Sequence, residues 1–411
     1  MSKTFPLWIC CQIGAREHYA IPRALHQQQQ LAYLITDAWV LPSSRINLLP
    51  KKILANLRER FDSDLTSASV KAYTNSLINF ELTQRLQKNT GWECTIARNH
   101  WFQQQVVKSL KLIAPKLNSS PTLFAYSYAA LELFRYAKTQ GWQTILGQIN
   151  PGIVEEKLVA AEHKKHPDYQ CIWLPAPTEY WANWQEECSL ADRILVNSSW
   201  SKQALEQVDI PQSKIDIVPL AYEGSALADD FERTYPKAFS KERPLRVLFL
   251  GQVILRKGIV ALLEAAEILQ HQPIEFWIVG SNNITPPLEI QRLKGVKWVG
   301  AVPRSTTAKY YQFADVFVFP TLSDGFGLTQ LEAQAWKLPI IASRFCGEVV
   351  EDKVNGLILP EVSSKAIAQT LQLCLDNPEQ LKAFSQQSTN TQNFNLPQLQ
   401  YHLETIADAI I

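Results

Sequence analysis

Two carboxylates, Asp324 and Glu332, stand with seven residues between them in the stretch Asp315–Ser343, DVFVFPTLSDGFGLTQLEAQAWKLPIIAS. Asp324 falls in a loop with Gly325, Phe326 and Gly327, and Glu332 on the helix that follows. Positions three and four apart on a helix are neighbours, so Glu332 shares a face with Leu328, Leu331, Ala335 and Trp336. A carboxylate on such an inward, apolar stripe is costly unless it is hydrogen-bonded. One reading gives it a ligand diol, such as a ribose, from which to accept. The other is a buried Glu in a capped helix, satisfied by backbone groups. Spacing leaves both open. Gly325 and Gly327 permit conformations and close approach that a Cβ would forbid. The amides that open the helix at Leu328 can then face phosphate oxygens.

A second constellation is Arg256-Lys257-Gly258 at another helix start. Two cations beside a helix N-terminus suit a pyrophosphate, because departure of such a leaving group concentrates negative charge there. The plainer alternative is a solvated basic turn.

The elements that must position these residues read as alternating strands and helices. Val316–Phe319 is a short apolar run expected as a buried parallel strand. A loop follows, then a helix over about Leu328–Lys337 and a strand from Pro339. Upstream, Leu245–Gly251 is an intense strand, Gln252–Gly258 a loop and Ile259–Leu269 a helix. Strands at Phe276–Gly280 and Val296–Gly300 and a helix over Pro303–Phe313 complete an α/β, doubly wound unit. Its ligand site is expected where the strand order reverses.

The first half repeats this alternation less regularly. Phe5–Ile13 is strand-like and opens into Gly14-Ala15-Arg16-Glu17-His18-Tyr19, followed by a helix ending near Gln30. A glycine there can let a loop pass close to phosphate. His18 is either a cleft-facing residue of the helix start or a surface histidine. Further strands are expected at Leu31–Thr36, Thr122–Tyr126, Thr144–Gln148 and Ile215–Pro219, with another opening at Ala191. Gln148 and Asn150 stand at a strand end facing the same cleft. Glu155 and Glu156 follow at a helix start, where the dipole suffices to account for acids and contact with an acceptor is the alternative. Residues 168 to 190 hold Tyr169, Trp173, Tyr180, Trp181 and Trp184, which read as core or as sugar-stacking platforms, core being the default. Residues 41–118 form a helical insertion with twelve basic residues against five acidic ones. Aromatics are interspersed, a pattern that suits either solvated helix faces or an anionic lipid surface.

Composition narrows the class. The chain has 411 residues, which suggests about two domains. A formal net charge of +1 gives no global sign of nucleic-acid binding. The seven cysteines are scattered, without C-x-x-C spacing, which argues for reduced thiols in a cytoplasmic setting. No run approaches the roughly 18 apolar residues of a membrane span, and no signal peptide is expected.

The segment D-G-F-G-L-x-x-x-E-A-x-A at 324–335 resembles the E-x7-E signature of family 4 glycosyltransferases, retaining enzymes of the GT-B fold. Asp324 stands where the family usually has Glu. F-L-G-x-x-x-x-R-K-G at 249–258 resembles the family's phosphate site, whose Lys corresponds to Lys257. The family usually has an Arg after the first glycine. Here that residue is Gln252, and Arg256 is the candidate to supply the charge. Phe345–Val350 with Asn355-Gly356 resembles the P-E-I-V…N-G stretch, Gly347 replacing Pro, and Ala191–Leu220 resembles the end of the family's first domain.

The resemblance implies two Rossmann-like domains facing across a cleft. Residues 1–222 would bind the acceptor and 223–244 would link. Residues 245–390 would bind the nucleotide-sugar donor, and 391–411 would pack back on the first domain. Catalysis would fall to Asp324 on the sugar, Glu332 on the ribose, and Arg256 and Lys257 on the phosphates. Gly14, Gly251, Gln252, Gly325, Phe326, Gly327 and Leu328 would line the donor, and His18, Gln148 and Asn150 the acceptor. The expected activity moves a hexose from a UDP- or GDP-sugar to a glycan, lipid-linked or small-molecule acceptor. With no D-x-D-type motif near the donor site, no metal or other cofactor is expected. Peripheral contact with an anionic membrane is a further expectation. A nucleotide-sugar epimerase, a phosphorylase-like enzyme and a non-catalytic nucleotide-sugar binder are the alternatives on this fold.

Overall fold

The computed structural model describes residues 7–44, 57, 60–224, 228, 230–388 and 393–410. The expected strand start at Phe5, the basic positions 45, 51, 52 and 58, and parts of the linker lie outside these residues.

Short, mostly apolar runs of three to six residues fold into two wholly parallel sheets. The first takes β1 (Trp8–Gln12), β2 (Leu31–Thr36), β3 (Val70–Ala72), β4 (Thr122–Tyr126), β5 (Gln143–Gly147), β6 (Arg193–Val196) and β7 (Ile215–Ile217). Its order is β3-β2-β1-β4-β5-β6-β7. The second takes β8 (Leu245–Leu250), β9 (Ile274–Val279), β10 (Val296–Gly300), β11 (Val316–Phe319), β12 (Ile340–Ala342) and β13 (Gly356–Ile358). Its order is β10-β9-β8-β11-β12-β13. Each sheet is thus wound outward in both directions from a central pair, β1 and β4 or β8 and β11. A crevice opens at such a reversal, beyond the C-terminal ends of the strands.

Central strands buried on both faces explain the apolar runs: every residue of β1, β4 and β11 is buried. Helices Ile259–Ile268 and Ser364–Asp376 cover one face of the second sheet through Leu262, Leu263, Ile367 and Leu371. The last helix, Leu396–Ile410, lays Leu396, Leu399, Leu403 and Ile406 into the core around Trp8, Leu25 and Leu34 of the first sheet. The chain therefore ends on the half in which it began.

Two local expectations are corrected. The insertion is not purely helical: beside helices Thr74–Gln87 and Gly91–Ile113 it contributes β3, an edge strand too short to show a period against its helical flanks. After Gly14 the chain runs through a separate stretch before the helix, as expected. Glu17, His18 and Tyr19 have φ of 53°, 51° and 58°, a left-handed run, and the regular helix is Ala20–Gln27. Pro303–Phe313 splits into a tight turn, Arg304–Thr306, and the helix Thr307–Phe313. Among the described residues no helix is long and apolar enough to cross a membrane.

Candidate active site between the two sheets

The loops after β8 and β11 leave the second sheet side by side at its reversal point, and they carry the two constellations read from the sequence. After β8 the chain turns through Leu255–Lys257 into Gly258, whose φ of 71° is left-handed. A Cβ there would lie 1.8 Å from the Pro320 carbonyl oxygen, so glycine is what lets the two loops touch. After β11, Asp324 comes to lie against the cations. Its carboxylate pairs with Lys257 Nζ, and Arg256 Nη1 is 3.8 Å away. Burial works to raise the Asp324 carboxyl, but Lys257 and Arg256 outweigh it and hold it below the ordinary range. Lys257 also sits 4.8 Å from the centre of the Phe319 ring.

These residues line a hollow of about 380 Å3 together with Gly251, Gln252, Phe326, Gly327 and Leu328. Arg16 and Glu17 of the first half close it from the other side. An adjoining hollow of about 340 Å3 holds Glu332, His18 and Arg304 and shares Glu17 and Leu328 with the first. Lys257 and Glu332 therefore line neighbouring hollows that meet at Glu17 and Leu328. Glu332 is not the buried acid expected: it is half-buried, and one oxygen accepts from Tyr311 Oη at 2.7 Å. Its helix is short, Leu328–Ala335, so the apolar stripe ends where the carboxylate turns to the crevice.

The remaining expected residues divide. His18 reaches Arg304 across the cleft, Nε2 to Nη2 at 2.8 Å. Gly14 lies outside both hollows: its N–H donates to Asp37 Oδ1, and its missing side chain makes room for the Arg60 guanidinium. Gly325 packs on the Ile149 carbonyl, where a Cβ would come within 2.5 Å. It brings the two halves together and does not line the hollow. Gln148 is buried, donating to Tyr128 Oη and the Asn150 carbonyl and accepting from Trp184 Nε1. Asn150 faces a third hollow on the far side of Arg256. Among the described residues no cluster of His, Cys, Asp and Glu is arranged to hold a metal ion.

Glu155 is the residue that local reading missed. At the start of helix Ile153–Lys165, it is 8% exposed and crosses to the other half, accepting from Ser323 Oγ at 2.9 Å and from Arg256 Nη1 at 3.3 Å. Burial raises its carboxyl above the ordinary range, with Arg256 pulling the other way. Arg256 Nη1 also donates to the Ser323 carbonyl, so its guanidinium is bonded on both sides of the seam, while it, Lys257 and Arg16 all line the hollow.

Two doubly wound sheets facing across a crevice, with the last helix returned to the first, define the GT-B fold. The chain superposes over 98% of its length on all of Anabaena HepE, solved with UDP and glucose, at a TM-score of 0.60 and 12% identity. It matches the sucrose-phosphate synthase of Thermosynechococcus elongatus over 98% of this chain and 99% of that one, at a TM-score of 0.60 and 17% identity. Residues 244–377, the half that bears Lys257, Asp324 and Glu332, match the family model described as Glycosyl transferases group 1. Among curated relatives, the amylovoran biosynthesis glycosyltransferase AmsK of Erwinia amylovora is 31% identical over 144 residues, covering 31% of this chain and 35% of that protein. The chain spans about a third to a half of the length of the first curated relatives it matches.

Proposed function

We propose that the protein transfers a hexose from a nucleoside diphosphate sugar to an acceptor hydroxyl, with retention at the anomeric carbon and without a metal ion. The observation that carries this is that Lys257 and Asp324 line one hollow, and Glu332 the hollow adjoining it, at the reversal point of the second sheet. The group 1 family match over the same residues supports it. So does the UDP found with HepE, a protein of the same fold.

In this reading Glu332, steadied by Tyr311, accepts hydrogen bonds from the ribose diol. Lys257 balances the charge that collects on the diphosphate as the bond from C1 to the phosphate oxygen breaks. The acceptor oxygen forms the new bond to C1 on the same face, and its proton passes to the departing phosphate oxygen. Protein charge on Lys257 does the work for which a metal ion would otherwise be needed. Closure of the first half, with Arg16 and Glu17 over the donor, excludes water and limits hydrolysis. The acceptor is a glycan, a lipid-linked sugar or a small molecule, and the basic insertion at 41–118 suits peripheral contact with an anionic membrane.

The test is nucleotide release from a panel of UDP-, GDP- and ADP-sugars, wild type against Glu332→Gln. Release from one donor, lost by at least a hundredfold in the folded variant, is the expected result. Full activity in the variant would refute the assignment, and a donor merely isomerised without acceptor would identify an epimerase.

A further inference from the structure

The first sheet has a reversal point of its own, between β1 and β4, and the residue standing just beyond β4 there is Tyr128. Its φ of 74° is left-handed, a conformation that aromatic residues avoid. Three sets of contacts hold it there. The fully buried Glu187 carboxylate accepts the backbone N–H groups of Tyr128, Ala130 and Leu131 at 2.7, 2.8 and 3.1 Å. The phenol donates to Asn150 Oδ1 at 2.6 Å and accepts from Gln148 Nε2 at 3.2 Å. Its ring stacks on Tyr180, 4.9 Å between centres and 16° between planes. Backbone strain persists only where its surroundings over-determine it, and it concentrates at ligand sites.

Tyr128 and Tyr180, with Trp92 and Trp181, form one wall of a hollow of about 400 Å3, a volume in the range of small-molecule sites. The opposite wall comes from the second half, through Leu255, Arg256 and Asn283. Arg256 borders both this hollow and the one that holds Lys257, so the two meet at the seam where transfer would occur. Polar groups are spaced among the rings: Asn150, Asn283, and Glu156, whose carboxylate is oriented by Trp181 Nε1 and the Ala176 N–H, each at 3.0 Å.

This combination selects a ligand. Aromatic faces carry negative charge density and attract polarised C–H groups. A pyranose presents C–H groups on its faces and hydroxyls around its rim, which the amides and Glu156 can take up. A hydrocarbon chain would leave those polar groups desolvated without partners. A phosphate would face two carboxylates, Glu155 and Glu156, beside an Arg256 guanidinium already bonded to Glu155 and to the Ser323 carbonyl. We infer that this hollow binds a pyranosyl unit of a neutral glycan acceptor, stacked on Tyr180 and Trp92. The inference rests on the transferase reading for the word acceptor, but its test is direct.

Saturation-transfer NMR on the intact protein would use neutral trisaccharides of glucose, galactose, mannose, xylose and N-acetylglucosamine in α and β linkage, with UDP, GDP and ADP titrated separately. At least one trisaccharide should take up saturation at its ring C–H protons. That signal should fall at least fivefold in Trp92→Ala and in Tyr180→Ala, and survive in Trp92→Phe. Nucleotide affinity should stay within twofold in all three, which also reports that they fold. No binding by any trisaccharide, or binding unchanged in both alanine variants, overturns the inference. Failure of the wild type to bind any nucleotide would instead overturn the transferase reading, whatever the trisaccharides do.

Discussion

The Lys257 ammonium is shared between the Asp324 carboxylate and the face of Phe319. A diphosphate that reaches Lys257 must therefore compete with a carboxylate of its own sign. Asp324→Asn keeps the shape and removes that charge, so UDP or GDP should bind more tightly, by about 1 kcal/mol or roughly fivefold after solvent screening. Turnover should fall, because the proposed contact to the donor sugar is weakened. Calorimetric titration checks this, and equal or weaker nucleotide binding by the variant would show that the carboxylate does not compete. Because the Asp324 carboxyl is held below its ordinary range, it stays ionised as pH falls from 7 to 5, so acidification over that window should not relieve the competition. Asp324, Glu332 and Lys257 stood out in the sequence through local loop and helix spacing. That spacing left their roles open, and it was the resemblance to family motifs that implied a donor site. Glu155 did not stand out. As a helix-start acid it needs no further explanation, and its partners Arg256 and Ser323 lie 101 and 168 positions away. Nor could any pattern show that Glu17, His18 and Tyr19 adopt left-handed backbone, since none of them is a glycine.

At the scale of elements, most strands could be read because parallel strands buried on both faces leave uninterrupted apolar runs, as in β11 and β12. β3 could not, having only three half-buried residues between helical flanks. The packing of elements yields two stability predictions. Gly258→Ala asks an L-residue to hold a φ of 71°, at about 1–2 kcal/mol. It also drives a methyl into the Pro320 carbonyl, so a total loss of several kcal/mol in urea unfolding is expected. A loss below about 1 kcal/mol would mean that the two loops part easily. Leu403→Ala should cost about 2–5 kcal/mol, since Leu403 is 1% exposed in the core it shares with Trp8 and Leu25. The signature is local: backbone amides of β1 and the helix Ala20–Gln27 should lose protection although the substitution lies near the end of the chain.

Across the whole molecule, few groups join the two halves at the mouth of the crevice, and Ser323 is their hub. Its hydroxyl accepts from Trp200 Nε1 at 3.1 Å and donates to Glu155, which in turn takes Arg256. The backbone N–H of Ser199 donates to Glu348 nearby, and Trp200 meets Phe345 edge to face, with centres 4.9 Å apart. Halves joined by a small polar seam are expected to move relative to each other unless that seam holds. Glu155 is the member whose removal does most harm, because Arg256 then loses its partner across the gap and the Ser323 hydroxyl loses the acceptor for its proton, keeping Trp200 as a donor. Truncating one side of a hydrogen-bonded, buried charge pair costs about 2–5 kcal/mol. The Glu155 and Arg256 side chains are only 11% and 20% exposed, so solvent can replace little of what is lost. Hydrogen exchange on Glu155→Ala should accelerate at least tenfold at Ser199, Trp200 and Ser323, the amides along the seam. The central amides of β4 and β11 should keep their wild-type rates, separating an opened cleft from a weakened fold. Unchanged exchange along the seam would mean that Trp200 and Glu348 hold the halves together without the buried acid.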